Sequence, residues 1–323
     1  MDVTIQTLFK IYLSLSFILF FFTYSKKHKI FEKLNLISFM IGSFCLLSFR
    51  SELIVFCSMA LMLISSYGFA LTRIRPNKYT ITAVALSAIL ILLYKVTPHI
   101  SVIMLLLFII SLCFAANEKS IEAFIVLFIL PVILYLCIDY TSYNNSRLLF
   151  PMVTRVTGLA FIVVSSFVLL SRKFENKKMI SYAFFYIGHY IFAIGVKTPE
   201  SITLAVMFTF IMPFIYSSEP DFISVFNLSM LPVSPVFILK TALVMIVIKA
   251  NMLPEAAIIV GCSLIVMVLC VSDLSNIVFR PFKRKAGIPV LIQTVSVAVL
   301  LLSIIYLDTV KNVIKITIKV ING

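Results

Sequence analysis

The chain is divided into apolar runs, and short polar stretches separate them. An α-helix needs roughly 20 apolar residues to cross a bilayer. We count about twelve such runs, at 5–24, 36–49, 53–72, 80–97, 100–116, 121–140, 148–171, 179–196, 201–217, 228–248, 255–272 and 288–307. The second is short and is expected to be tilted or partly re-entrant. The sequence therefore predicts an all-α polytopic membrane bundle, with 1–323 as a single transmembrane domain.

Composition agrees with this fold class. The 323 residues are 62% hydrophobic and only 12% charged, whereas a soluble domain has about 25% charged residues. Too little polar surface remains to cover a water-soluble globule. Helices are favoured because every backbone N–H and C=O in lipid needs an internal partner. A β-barrel would instead show alternating segments of about ten residues.

The basic residues follow a topological pattern. The net charge is +14. With the N-terminus outward, 16 of the 27 Lys and Arg residues fall in cytoplasmic segments such as SKKHK, RIRPNKY, SRKFENKK and FRPFKRK, and nine fall outward. This is the positive-inside bias. We therefore expect both termini outward, a bacterial inner (cytoplasmic) membrane, and contacts with membrane lipid. Nucleic acid is not expected as a partner, since no basic face alternates with stacking aromatic residues.

No pattern of a metal site, cofactor or soluble enzyme is present. All six cysteines lie inside apolar runs, without C-x-x-C or a Cys/His cluster. There is also no phosphate loop, G-x-S-x-G, H-E-x-x-H or dinucleotide fingerprint. We predict no catalytic residue, metal or cofactor. An enzymatic role would be that of a membrane subunit in a translocating oxidoreductase.

Three ionisable residues lie well inside the predicted spans: Arg155, His189 and Lys240. Such residues are costly in lipid and are functional candidates by default. A histidine exchanges protons near neutral pH, so the three are predicted to form an ion or proton path. Each also has a structural alternative: a clamp between helices for Arg155, an interhelical hydrogen bond for His189, and pairing with a helix-end carbonyl for Lys240.

The span that carries Lys240 also contains Pro232 and Pro235. Each proline lacks a backbone donor and leaves a carbonyl free. Such a break survives in lipid only where it faces protein or a water-filled cavity. A broken helix beside a buried cation is a common way to build an ion site in a membrane. The sequence therefore predicts a Pro-broken helix near 232–240.

These residues resemble a known family. The stretch LPVSPVFILK at 231–240 resembles the G-x-P-P-x-x-G-F-x-x-K segment of the antiporter-like subunits of NADH:quinone oxidoreductase (complex I), multisubunit cation/proton antiporters and membrane-bound hydrogenases. KKMISY at 177–182 with IGHYI at 187–191 is similar to the family's K-R-L-L-A-Y-S-S-I-x-H-x-G-Y segment. LIVF at 53–56 with SSY at 65–67 is similar to its W-E-x-x-x-x-x-S-Y helix.

The resemblance implies ion translocation without covalent catalysis, beside other hydrophobic membrane subunits. Lys240 would be the family's lysine at a discontinuous helix, and His189 its histidine. The family's glutamate would fall at Ala60, where no carboxylate exists. Its P-F-H-x-W-L-P-D-A and H-x-x-x-H-A-x-x-K segments are also missing, and about twelve spans are two fewer than the family's usual core. The chain is therefore predicted to be a truncated or degenerate member, either an ion conduit or a structural subunit.

Two other functions remain open. A lipid-linked polysaccharide flippase or polymerase would also be basic and rich in Phe and Ile. A polymerase would need a long outward loop, which the chain lacks, but Arg155 and Lys240 could form the small cationic cavity of a flippase. A small-solute transporter of another family would show inverted repeats, and we find no convincing one.

Overall fold

The computed structural model describes residues 3–24, 30–49, 51–71, 123–129, 131–132, 135, 138, 149–171, 178–215, 234–278 and 298. The regular elements within these residues are all helical, which confirms the all-α class. They are α1 (Val3–Tyr24), α2 (Ile30–Ser48), α3 (Glu52–Leu71), a π-helical turn (Ile125–Ile129), α4 (Leu149–Leu170), α5 (Lys178–Val196), α6 (Pro199–Thr209), α7 (Met212–Ile215), α8 (Pro235–Lys249) and α9 (Leu253–Val278).

Three helical stretches in the described part of the chain are long and apolar enough to cross a membrane: Ile30–Ser48, Pro151–Leu170 and Leu253–Ser272. Shorter apolar stretches are Gln6–Phe21, Leu53–Ser66 and Ser181–Val196. These features are compatible with a membrane protein. The runs predicted at 80–97 and 100–116 lie outside the described residues, as does all of 288–307 except residue 298.

Three predicted spans differ from the helices, one of them only at its end, because α9 continues to Val278, six residues beyond the predicted run 255–272. The expectation of a short second span is wrong, because α2 begins at Ile30, six residues before the predicted start. Its polar first turn is compatible with a helix, since Glu32 lies at the positive end of the helix dipole. The run at 201–217 is not one continuous helix: α6 ends at Thr209 and α7 begins at Met212. Pro213 explains the interruption, because it has no N–H to donate to the carbonyl four residues earlier.

Glycines bring α4 and α5 into backbone contact. A Cβ added at Gly158 would lie 2.5 Å from the backbone N of Phe192, and one added at Gly188 would lie 2.8 Å from that of Ile162. Residue numbers increase along α4 in the direction in which they decrease along α5, so the two helices are antiparallel. Small residues at such crossings allow the close packing that drives helix association in membranes.

Helix α5 is the centre of the described structure. Every residue of 181–196 is buried. It packs against α4 and against α6, the helix that follows it in the chain. Helix α8 packs on α6 and α9, while α9 also packs on α4. A side chain that projects from α5 therefore meets protein within this group of helices.

Two tight turns join these helices, and each contains a residue with positive φ. Lys197 (φ 61°) separates α5 from Thr198, the N-cap of α6. Asn251 (φ 58°) follows α8, and its N–H donates to the carbonyl of Ile248 at 2.9 Å. The N–H of Met252 donates to the carbonyl of Val247 at 3.1 Å, which completes a Schellman motif.

Aromatic rings form the core between the N-terminal helices. Phe20 of α1 and Phe39 of α2 make edge-to-face contacts with Phe124 and Phe128 of the π-helical region, with ring centroids 5.3–6.1 Å apart. Such pairs stabilise a core beyond the area that they bury. A further edge contact joins Tyr12 of α1 to the Phe210 ring, which follows α6. The aromatic core is therefore continuous with the α5–α6 group.

Candidate functional site

Lys240 lies inside the protein and faces aromatic rings. Its side chain is 5% exposed. The Nζ atom lies 3.9 Å from the centroid of the Phe185 ring and 5.0 Å from that of Tyr186, both on α5. It also donates to Ser263 Oγ on α9 at 3.2 Å. The ammonium is therefore held by cation–π contacts and a hydroxyl, and it links α8 with α5 and α9.

His189 is fully buried one turn along α5 from Phe185. Its Nδ1 lies 2.8 Å from the backbone carbonyl of Phe185. Because a carbonyl only accepts, Nδ1 carries a proton and donates it. In the neutral ring Nε2 is then an acceptor, and it is buried without a hydrogen-bond partner in the described part of the chain. The Nδ1 bond lies within α5, so it is not the interhelical bond considered as the structural alternative.

Phe185 connects the two candidates. Its ring face receives the Lys240 ammonium, and its ring also meets the His189 ring edge-to-face at 4.7 Å between centroids. Its carbonyl fixes the proton on Nδ1 of His189. Phe208 of α6 covers the histidine from another side, at 5.7 Å. Lys240, His189 and the rings of Phe185 and Tyr186 are called the lysine–aromatic cluster below.

The start of α8 gives Lys240 its position. Ser234 has extended backbone angles and accepts from the N–H of Phe237 at 3.2 Å, as an N-cap does. Pro235 is the first helical residue, where its missing N–H costs nothing. The predicted interruption at Pro235 is thus a helix start one and a half turns before Lys240. Pro232 lies outside the described residues.

Arg155 lies apart from the lysine–aromatic cluster. Its Cγ is the atom nearest to a Cβ built on Gly195, at the end of α5, and its Nη1 donates to Met252 Sδ at 3.2 Å. Gly195 is six residues beyond His189, which places it about 9 Å further along α5 and roughly 120° around it. Arg155 lies on α4 and contacts both α5 and the α8–α9 turn. These contacts are the ones expected from its structural alternative, a clamp between helices.

The sequence did not identify Phe185, Tyr186 or Ser263. One signal was present for Phe185, because it lies four residues before His189 and therefore on the same helix face. Ser263 also has a signal: it continues the buried stripe of α9 formed by Ala256, Ile259, Val266 and Cys270. The contact of either residue with Lys240 joins distant parts of the chain, so spacing alone does not predict it.

The cluster combines ionisable side chains with aromatic rings. Within the described residues no three His, Cys, Asp or Glu side chains are grouped as a metal site requires. The contacts of Lys240 Nζ include two aromatic rings and a hydroxyl. Lys240 Nζ is a proton donor, and the unpartnered Nε2 of His189 is a proton acceptor, so the cluster holds one of each inside the protein.

Comparisons of the chain with protein-family models and with curated proteins give no match in either case. The similarity to antiporter-like subunits therefore remains a prediction from the sequence patches at 53–67, 177–191 and 231–240. The function has to be argued from the cluster itself.

Proposed function

We propose that the chain is an integral membrane protein of about twelve spans and that it is a subunit of a proton- or cation-translocating complex. Lys240 and His189 are its ion-handling residues. The lysine–aromatic cluster carries this proposal: a buried cation and a buried proton acceptor share one aromatic residue, Phe185. An ionisable group inside a membrane span is a functional candidate by default.

The membrane setting of the proposal is the bacterial inner membrane, with both termini outward and other hydrophobic subunits as partners. The three apolar helices that are long enough to span support this setting, as does the positive-inside distribution of charge. The missing carboxylate at Ala60 favours a degenerate member of the antiporter-like family. Such a subunit acts within an assembly, and any redox centres belong to its partners.

The flippase alternative required a cationic cavity formed by Arg155 and Lys240. Arg155 binds the α8–α9 turn at Met252. Lys240 lies ten residues before Ala250, the C-cap of α8, and therefore about 15 Å deeper along the helix. The two cations are held at different depths by different helices. This separation favours the ion conduit over the flippase.

Replacing Lys240 tests the conduit. In membrane vesicles that contain the whole complex, Lys240→Ala is expected to lower ion translocation at least about tenfold, a loss of about 1.4 kcal/mol in transition-state stabilisation. Lys240→Arg keeps the charge and should retain part of the activity. Translocation is measured with a pH-sensitive or cation-sensitive dye, and subunit assembly is measured on native gels.

Lys33 provides the matched control. It lies on α2 with its Nζ 5.9 Å from the Phe21 ring centroid, so it is also a lysine beside an aromatic ring. Lys33→Ala should leave translocation unchanged. Normal translocation by an assembled Lys240→Ala complex would contradict the conduit and leave a structural subunit.

A further inference from the structure

The guanidinium of Arg155 is poorly supplied with acceptors. Its hydrogen-bond partner among the described residues is Met252 Sδ, a thioether sulfur and a weak acceptor. Its Nε is buried and has no partner there. A guanidinium has five N–H donors in a fixed fork. Leaving the buried Nε donor without an oxygen acceptor is costly, so the geometry favours an additional acceptor at this guanidinium.

Other cations lie at the same end of the molecule. Arg155 reaches Gly195 and Met252, the last turn of α5 and the α8–α9 turn. Lys197 is two residues beyond Gly195 and half-buried, and Lys249 is three residues before Met252 and exposed. Two carboxylates also belong to this end: Glu200 and Glu255 lie in the first turns of α6 and α9. Neither is a hydrogen-bond partner of Arg155 in the described structure.

The surface beside Arg155 is apolar and exposed. Met152 and Val156 flank it on α4, at 57% and 59% exposure. Ile248 and Leu253 flank the α8–α9 turn, and Leu253 is 63% exposed. Arg155 is the seventh residue of α4, about 9 Å from the helix start. In a spanning helix this is the depth from which a long basic side chain reaches the polar boundary of the bilayer.

We propose that Arg155 binds the phosphate of an anionic phospholipid, with Lys197 and Lys249 as the surrounding cations. A phosphate supplies the paired oxygens that a guanidinium fork recognises. The exposed apolar side chains of α4 and α9 then contact the acyl chains. An amphiphilic ligand fits both features, whereas a soluble anion fits only the first. The site does not depend on ion translocation, and it would also bind lipid in a purely structural subunit.

Thermal unfolding of the full chain in a neutral detergent tests the site. Dioleoylphosphatidylglycerol at about 100 times its Kd should raise the unfolding midpoint by about 4–8 °C. Dioleoylphosphatidylcholine and inorganic phosphate, added at the same concentration, should raise it by less than a quarter of that. Arg155→Gln should remove the phosphatidylglycerol effect. Arg155→Lys should keep only part of it, since an ammonium lacks the bidentate fork.

Two further variants make the result decisive. Lys197→Gln should reduce the shift, and it serves as the main test if Arg155→Gln does not fold. Lys10→Gln is the control, because it removes a single cation from α1, a helix that contributes no residue to either turn. A full shift in both Arg155→Gln and Lys197→Gln would overturn the proposal. An equal shift with phosphatidylcholine would overturn the anionic site, and an equal shift with inorganic phosphate would replace the lipid by a soluble anion.

Discussion

At the scale of single residues, Lys240 shows how a buried charge is held by aromatic groups. Two rings of α5 and one hydroxyl of α9 surround its Nζ. In low-dielectric surroundings a ring face attracts a cation more strongly than it does in water. Phe185 contributes most by distance, since its centroid is 1.1 Å closer to Nζ than that of Tyr186. The stability of this cluster should therefore depend on Phe185 and Lys240 together.

A double-mutant cycle measures this dependence. Phe185→Leu and Lys240→Met should be coupled by about 0.5–2 kcal/mol, the range that cation–π contacts cover from exposed to desolvated sites. Unfolding of the full chain in detergent gives each free energy. Phe192→Leu is the matched control because Phe192 is buried on the same helix, where it meets Gly158 of α4. Its coupling to Lys240→Met should be below about 0.5 kcal/mol. Equal coupling in both cycles would contradict a specific contact.

The candidate residues could be predicted from the sequence, but the residues that contact them could not. A charge inside an apolar run is conspicuous because lipid penalises it. This property identified Lys240, His189 and Arg155. Which of them meet depends on contacts between helices, and the structure joins the first two through Phe185 while Arg155 lies near Met252. Spacing along one helix contains no information on such contacts.

At the scale of elements, helix ends were harder to predict than helix positions. The starts of α4 at Leu149 and of α5 at Lys178 lie within one residue of the starts predicted from the apolar runs. The start of α2 differs by six residues, and its polar first turn is compatible with a helix because Glu32 lies at the positive end of the helix dipole. Hydropathy reports where lipid-compatible sequence lies, and it does not report caps. The Pro213 interruption had a local signal, a proline inside a helical run.

The α4–α5 contact leads to a prediction at this scale. Gly158→Ala would place Cβ 2.5 Å from a backbone atom of Phe192, so the helices have to separate. We expect a loss of about 1–3 kcal/mol in the free energy of unfolding. Gly261→Ala on α9 is the control, because a Cβ there has no neighbour within 4 Å among the described residues. It should be neutral or stabilise by up to about 1 kcal/mol, as alanine does in a helix. Thermal unfolding in detergent compares the two variants.

Opposite results would be informative about the helix pair. A neutral Gly158→Ala variant would mean that α4 and α5 have room to separate at no cost. A destabilised Gly261→Ala variant would mean that another surface covers this position of α9. Both results together would contradict the described packing.

At the scale of the whole molecule, the packing and the charge pattern are related. Arg155 lies beside Gly195 and Gly158 lies beside Phe192, so α4 and α5 are antiparallel. Arg155 contacts Met252 of the α8–α9 turn and lies beside Gly195, at the end of α5 before the α5–α6 turn. The two turns therefore lie at one end of this group of helices. The basic connection at 172–177 joins the other ends of α4 and α5. The outward and cytoplasmic assignments made from charge place these connections on opposite sides in the same way.

Reporter fusions test the resulting topology. Alkaline phosphatase is active only outside the cytoplasm, so fusions after Thr198 and Asn251 should be active. A fusion after Asn176, within the basic connection, should be inactive there, while green fluorescent protein at that position should fluoresce. The reason is that four cations in SRKFENKK hold this loop in the cytoplasm. Changing Arg172, Lys173, Lys177 and Lys178 to Gln should weaken the difference. Equal phosphatase activity after Asn176 and Thr198 would contradict a membrane crossing by α5, and with it the proposed path through Lys240 and His189.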